Sequence, residues 1–152
     1  MTKRQDDCKL RRQLTVWYII NNQPLPRCET LYVNHLNFTK WPNYGVVDNV
    51  SIISDFVKTV SDCHQDDSPL VVHCSGGVGR SGTFTAMYNL YRTLRTNDAQ
   101  KLQEYCGPDG DLELISTVHH LRNVRHPWMV EGVEQYLLAY KTCLQLLKRA
   151  NY

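Results

Sequence analysis

The stretch Val71-Val72-His73-Cys74-Ser75-Gly76-Gly77-Val78-Gly79-Arg80-Ser81-Gly82-Thr83-Phe84 constrains this chain more than any other segment. The apolar run from Leu70 to Val72 reads as a strand, and Arg80 opens an amphipathic helical pattern. Between them lie a cysteine and three glycines. A strand, a glycine-rich loop and a helix N-terminus in succession form a concavity into which backbone N–H groups converge. The helix dipole adds positive potential, so the concavity suits a phosphate. Cys74 sits at its foot, where the same amides and Arg80 stabilise a thiolate, lower its pKa and leave it nucleophilic at neutral pH. Five residues separate Cys74 from Arg80. That is enough chain to wrap a tetrahedral oxyanion and bring the guanidinium back onto two of its oxygens. The chemistry expected is attack of sulfur on a phosphate ester.

The 152 residues fit one domain, expected to span 1–152. A net charge of +2 gives no argument for nucleic-acid or membrane partners. No stretch has the uninterrupted apolar length of a membrane span, and Met1 to Asp7 lacks the apolar core of a signal peptide. The six cysteines are scattered without a Cys-x-x-Cys pair, and with the histidines they show no zinc-ligand spacing, so neither metal nor cofactor is expected. A nucleophilic thiolate argues for a reducing compartment, and the location is read as cytoplasmic.

Leu10 to Ile20 and Thr30 to Phe38 are rich in β-branched and aromatic residues, with a turn at Asn21-Asn22-Gln23-Pro24. They predict an antiparallel pair. Val50 to Val60 predicts a helix with Ile53, Val57 and Val60 on one face, preceded by Asp48-Asn49 as its cap. Leu70 to His73 is the strand before the loop. The helix after Arg80 carries Phe84, Met87, Tyr88, Tyr91 and Leu94. Thr96 to Gly110 is a hydrophilic stretch, with a turn at Gly107-Pro108-Asp109-Gly110. Asp111 is expected to cap a helix bearing Leu114, Ile115, Val118 and Leu121, which His126-Pro127 breaks. The last helix places Val133, Leu137, Tyr140, Leu144 and Leu147 at helical spacing, and these stripes are assigned to the core.

The string from His73 to Phe84 resembles the signature loop of the classical protein tyrosine phosphatases, with Gly76 where that family usually has alanine. Three further segments match in order. Thr39 to Val46, with Trp41-Pro42-Asn43, is similar to the mobile tryptophan-proline loop that closes over substrate. Leu121 to Arg125 resembles the arginine-bearing helix behind the site, and Met129 to Tyr136 resembles the loop that positions the hydrolytic water. The family's earlier strands and its tyrosine-bearing loop have no counterpart before Leu10, so the match is to the later part of such a domain, incomplete on its N-terminal side. The resemblance implies an α/β fold: a central mixed, partly parallel sheet flanked by helices, with the site at the C-terminal end of Leu70–His73. It implies Cys74 as nucleophile. Arg80 and the amides of Ser75, Gly76, Gly77, Val78 and Gly79 would bind phosphate. Ser81 would hydrogen-bond the departing thiolate, Gln135 would orient water, and His73 would support the loop from behind.

Two positions depart from the pattern. Asn43 stands where the family has its general acid, an aspartate. An amide has no proton to give, and general acid catalysis typically contributes ~10²–10⁴-fold, or roughly 3–5 kcal/mol of barrier. Asp48, five positions on, is the nearest replacement carboxylate and reads more simply as a solvated residue before the helix. Glu131 stands where the family has the first glutamine of its water loop. Its charge would repel a phosphate dianion, or it could act as a base in the second step. The segment is also one residue longer than usual, which leaves its direction open. The sequence therefore supports a phosphatase acting on phosphotyrosine proteins through a cysteinyl-phosphate, with impaired turnover. The alternative is a pseudophosphatase that binds such proteins.

Overall fold

The computed structural model describes residues 9–20, 23–43, 45–64, 67–96, 100, 105 and 112–150. The chain divides into two compact units, 1–39 and 40–152. In the first, β1 (Lys9–Ile20) and β2 (Gln23–Leu36) pair antiparallel, from Lys9 opposite Leu36 to Ile20 opposite Gln23, with an irregularity between Trp17 and Ile19. The antiparallel pair matches the sequence reading. However, β2 starts seven residues before the predicted Thr30 and carries Pro24 and Pro26 within it. A two-stranded ribbon leaves each strand one edge without ladder bonds, which is where prolines are tolerated.

The second unit is helical among the described residues: α1 (Val50–Cys63), α2 (Gly79–Thr96), α3 (Ile115–Val124) and α4 (Val133–Ala150). Helix α1 begins where predicted, with the Asn49 side chain accepting from Ser51 N at 2.9 Å. Ile53, Val57 and Val60 are buried as expected. Helices α1 and α4 are tied by polar contacts: Gln145 Nε2 donates to Ser51 Oγ (2.9 Å), and Arg149 pairs with Asp55 (2.7 Å). On α2, Ala86, Met87 and Leu90 are fully buried, and Phe84 lies between Phe56 and Tyr88 in ring contacts of 5.7 and 5.9 Å.

Three expectations are corrected. Leu70–His73 is not a strand, and the only sheet among the described residues is the β1–β2 pair rather than a central, partly parallel one. A strand requires a ladder partner. The segment has none among the described residues, and Val71 is 80% exposed. Helix α3 begins at Ile115 with Leu114 at its cap and no side-chain cap bond; Asp111 lies outside the described residues, as do the predicted turn at 107–110 and most of 96–110. In α4 the buried face is Gln135, Leu138, Ala139, Thr142, Cys143 and Leu146, whereas Val133 and Leu137 are exposed. The sequence carries two overlapping stripes at helical spacing. The buried one includes polar residues that bond within the unit, among them Thr142, whose hydroxyl donates to Leu138 O at 2.7 Å.

Candidate active site

The turn that carries Cys74 is built locally. Gly77 has a φ of +70°, a left-handed conformation that glycine adopts without strain. This turns its N–H back onto Cys74 Sγ at 3.2 Å. Gly76 tolerates the alanine common in related loops, because an added methyl would meet only Val78 Cγ2 at an ordinary 3.7 Å. Val78 packs against the apolar cluster of Ala86, Leu121 and Met129, which fixes the loop from below. Helix α2 starts at Gly79, so Arg80 and Ser81 lie in its first turn, at the positive end of its dipole.

Burial raises the pKa of Cys74, but hydrogen bonding outweighs it. The Ser81 side chain, then the backbone N–H groups of Ser81, Gly77 and Gly76, favour the thiolate and hold the pKa below the ordinary thiol value. The Ser81 hydroxyl is buried and makes no hydrogen bond of full geometry among the described residues, so it is available to the sulfur. By contrast Cys143, on the buried face of α4, has its thiol pushed far up by burial alone. Two buried-side cysteines thus differ in the sign of the shift because only one has donors around it.

Arg80 makes three hydrogen bonds through its two terminal nitrogens. One terminal nitrogen donates to Trp41 O (3.3 Å), the other to Asn43 Oδ1 (2.5 Å) and Ser75 Oγ (2.8 Å). Trp41 is buried and donates from Nε1 to Gly45 O at 3.0 Å, which folds the 41–45 loop on itself. The tryptophan-proline loop is therefore seated on Arg80, and the Asn43 amide oxygen is its main contact.

The third side of the cup is the segment 129–135. Arg122 on α3 holds it, donating to Met129 O at 3.0 Å and Val130 O at 3.1 Å. Gln135 Oε1 accepts from Glu131 N at 3.1 Å and from Thr83 Oγ1 at 3.2 Å, and Thr83 Oγ1 also lies 2.9 Å from Gly79 O. A methyl group placed on Gly79 would lie 3.0 Å from Gln135 Nε2, Gln135 Oε1 and Glu131 Oε2 alike. The Glu131 carboxylate thus lies against Gly79, at the edge of the loop that carries Cys74. Helix α2 and this segment touch through backbone: a methyl on Gly82 would come within 2.6 Å of Val130 N. Gly82→Ala is expected to destabilise the protein by about 1–3 kcal/mol through overpacking, read as a lower urea midpoint with an unchanged slope.

The structure brings Cys74, Ser75, Gly76, Gly77, Val78, Gly79, Arg80, Ser81, Trp41, Asn43, Glu131 and Gln135 around one cup. His73 is exposed on the segment leading into the loop. Thr83, Arg122 and Arg125 were not singled out individually from the sequence. An Arg125 terminal nitrogen lies 3.8 Å from the place of a methyl on Gly77, which adds positive charge at the rim. Arg122 on α3 and Arg125 just past its end, three residues apart, were the available signal.

The thiol of lowered pKa, with donors from Ser81, Gly77 and Gly76 around it, thus lies in the same loop as Ser75, which Arg80 holds. The family model described as Protein-tyrosine phosphatase matches residues 2–145, and the chain belongs to that family. It is similar to the phosphatidylinositol phosphatase PTPRQ of Rattus norvegicus, 32% identical over 142 residues, 91% of this chain and 6% of that protein. It is also similar to tyrosine-protein phosphatase 2 of Dictyostelium discoideum, 31% identical over 134 residues, 88% of this chain and 32% of that protein. In fold it resembles a protein tyrosine phosphatase of Trypanosoma brucei, with a TM-score of 0.66 at 24% identity, 91% of this chain and 42% of that one. The chain therefore spans less than half the length of each of these. No helix among the described residues is long and apolar enough to cross a membrane.

Proposed function

We propose that this chain is a phosphomonoesterase of the tyrosine phosphatase type, acting on phosphotyrosine proteins through a phosphocysteine at residue 74, with slowed turnover. The observation that carries the proposal is the Cys74 sulfur facing the Gly77 N–H, its pKa lowered by donors from Ser81, Gly77 and Gly76. Arg80 and the amides of 75–79 grip the phosphoryl oxygens. Sulfur attacks phosphorus, the ester oxygen leaves, and Ser81 and Gly77 stabilise the thiolate when water displaces it. The thiolate chemistry fits a reducing, cytoplasmic compartment.

Asn43 sets the substrate preference. With no acid to protonate the leaving oxygen, the rate depends on how well that oxygen leaves as an anion. A tyrosine phenol (pKa about 10) leaves better than an alkyl alcohol, so aryl phosphates are favoured over phosphoserine. The same residue supports a second reading, a binding protein, because Asn43 Oδ1 can hold the loop on Arg80 without supplying a proton. The two readings separate on Asn43→Asp. A phosphotyrosine peptide and an aryl phosphate with an acidic phenol are compared in the two proteins. The enzyme reading expects turnover of the activated ester by both, and a gain of at least about 10²-fold confined to the peptide. No turnover of either substrate, together with vanadate-sensitive peptide binding, supports the binding reading.

A further inference from the structure

We infer that Glu131 is the catalytic base of the second step, taking a proton from the water that hydrolyses phosphocysteine 74. The inference rests on the phosphatase reading above. Four observations place the carboxylate there. Glu131 Oε2 lies as near to the Gly79 methyl position as both polar atoms of Gln135 do, at 3.0 Å, so carboxylate and amide converge on one edge of the cup. The Glu131 backbone is clamped, its N–H bonded to Gln135 Oε1 and the carbonyls before it held by Arg122. On either side the chain is left-handed: Val130 has a φ of 59° and Gly132 a φ of 103°. For a β-branched residue such as Val130 this is a true outlier, and it persists only where the surroundings dictate it. Val130 is 1% exposed, so packing and Arg122 together enforce the turn that presents Glu131. Finally, the group across the cup, Asn43, carries no carboxylate and is bound to Arg80.

The step balances without a co-reactant. Water oxygen bonds to phosphorus as one water proton passes to the Glu131 carboxylate. The S–P bond breaks, and its electron pair returns to Cys74 Sγ, where the Gly77 N–H and the Ser81 hydroxyl receive it. Inorganic phosphate departs, and Glu131 releases its proton to solvent. Glu131 thus does nothing for leaving-group protonation, and the first step remains unassisted.

The test is stopped-flow kinetics on an aryl phosphate with an acidic phenol, comparing the native chain with Glu131→Gln. This substitution keeps the shape of the side chain and removes its basicity. The expected result is a phenol burst approaching one per site with an unchanged burst rate, then a steady state slowed by about 10²-fold or more. Acid quenching should trap phosphate on Cys74, and Glu131→Asp should recover part of the steady-state rate. The burst itself reports a folded cup. If Glu131 is only a repelling charge, Glu131→Gln lowers KM, leaves kcat unchanged and accumulates no phosphocysteine, which overturns the assignment and leaves the phosphatase reading intact. If both proteins turn over the ester with no burst and no labelled Cys74, the first step limits both and the assignment falls alone; if neither releases phenol at all, the phosphatase reading falls with it.

Discussion

Cys74→Ser is expected to lower turnover of an activated aryl phosphate on the order of 10⁵–10⁶-fold, the scale seen when an enzyme loses its nucleophile. The fold should survive, since the side chain is only half buried and serine fits the same space. A hydroxyl in this cup stays protonated at any usable pH, so no covalent intermediate forms. Oxyanion binding by the amides and Arg80 should persist, which makes phosphate protection against proteolysis a suitable control. The same sulfur gives a pH signature in the native protein. Each unit by which its pKa is lowered raises the thiolate fraction about tenfold at pH values below the pKa. It costs only about threefold in intrinsic nucleophilicity, because the dependence on basicity is roughly half-order. Iodoacetate should therefore label Cys74 faster at pH 6 than it labels an exposed cysteine, and phosphate should protect it. The rate should rise with pH and level off once the thiol is ionised, below the pH at which an ordinary thiol levels off. Ser81→Ala removes the foremost stabilising donor and should move that midpoint upward. An alkylation profile matching free cysteine in both proteins would exclude the thiolate cup.

Arg80→Lys should reduce both oxyanion binding and turnover by about 10²–10⁴-fold. Two hydrogen bonds from a guanidinium to an anion contribute about 1.5–3 kcal/mol each, and an ammonium cannot reproduce the planar fork. The structure adds a second consequence. Arg80 also donates to Trp41 O, Asn43 Oδ1 and Ser75 Oγ. The substitution therefore also unseats the 41–45 loop. Vanadate titration followed by the fluorescence of Trp41 measures both effects, because this indole is buried beside the loop it anchors. A weaker affinity with an unchanged tryptophan signal would show that Arg80 binds oxyanions but does not hold the loop. Unchanged affinity would remove Arg80 from the site.

The cup was legible in the sequence because its geometry closes within a few residues. Gly77 must take a positive φ to return its N–H to a sulfur three positions back, and the helix start follows at once. The α1 helix and its Asn49 cap were legible for the same reason. Where two local patterns competed, the sequence could not choose. Val133 and Leu137 match helical spacing as well as Leu138, Ala139 and Cys143 do, and only packing shows which stripe is inside. Leu70–His73 has strand composition, but a strand exists by virtue of its neighbour, which no local reading supplies.

From sequence alone came the expectation of a thiol held by loop amides, of an arginine brought back to the same loop, and of an amide at residue 43 where the resemblance implies a proton donor. These depend on backbone conformation over short spans and on side-chain chemistry, both of which travel with the residues themselves. The tertiary structure decided what surrounds the cup: Asn43 bound to Arg80 across 37 positions, Thr83 joined to Gln135 across 52, and the Glu131 carboxylate turned toward Gly79 by a strained, buried valine. Contacts between residues so far apart exist only once the helices have packed and fixed their relative directions.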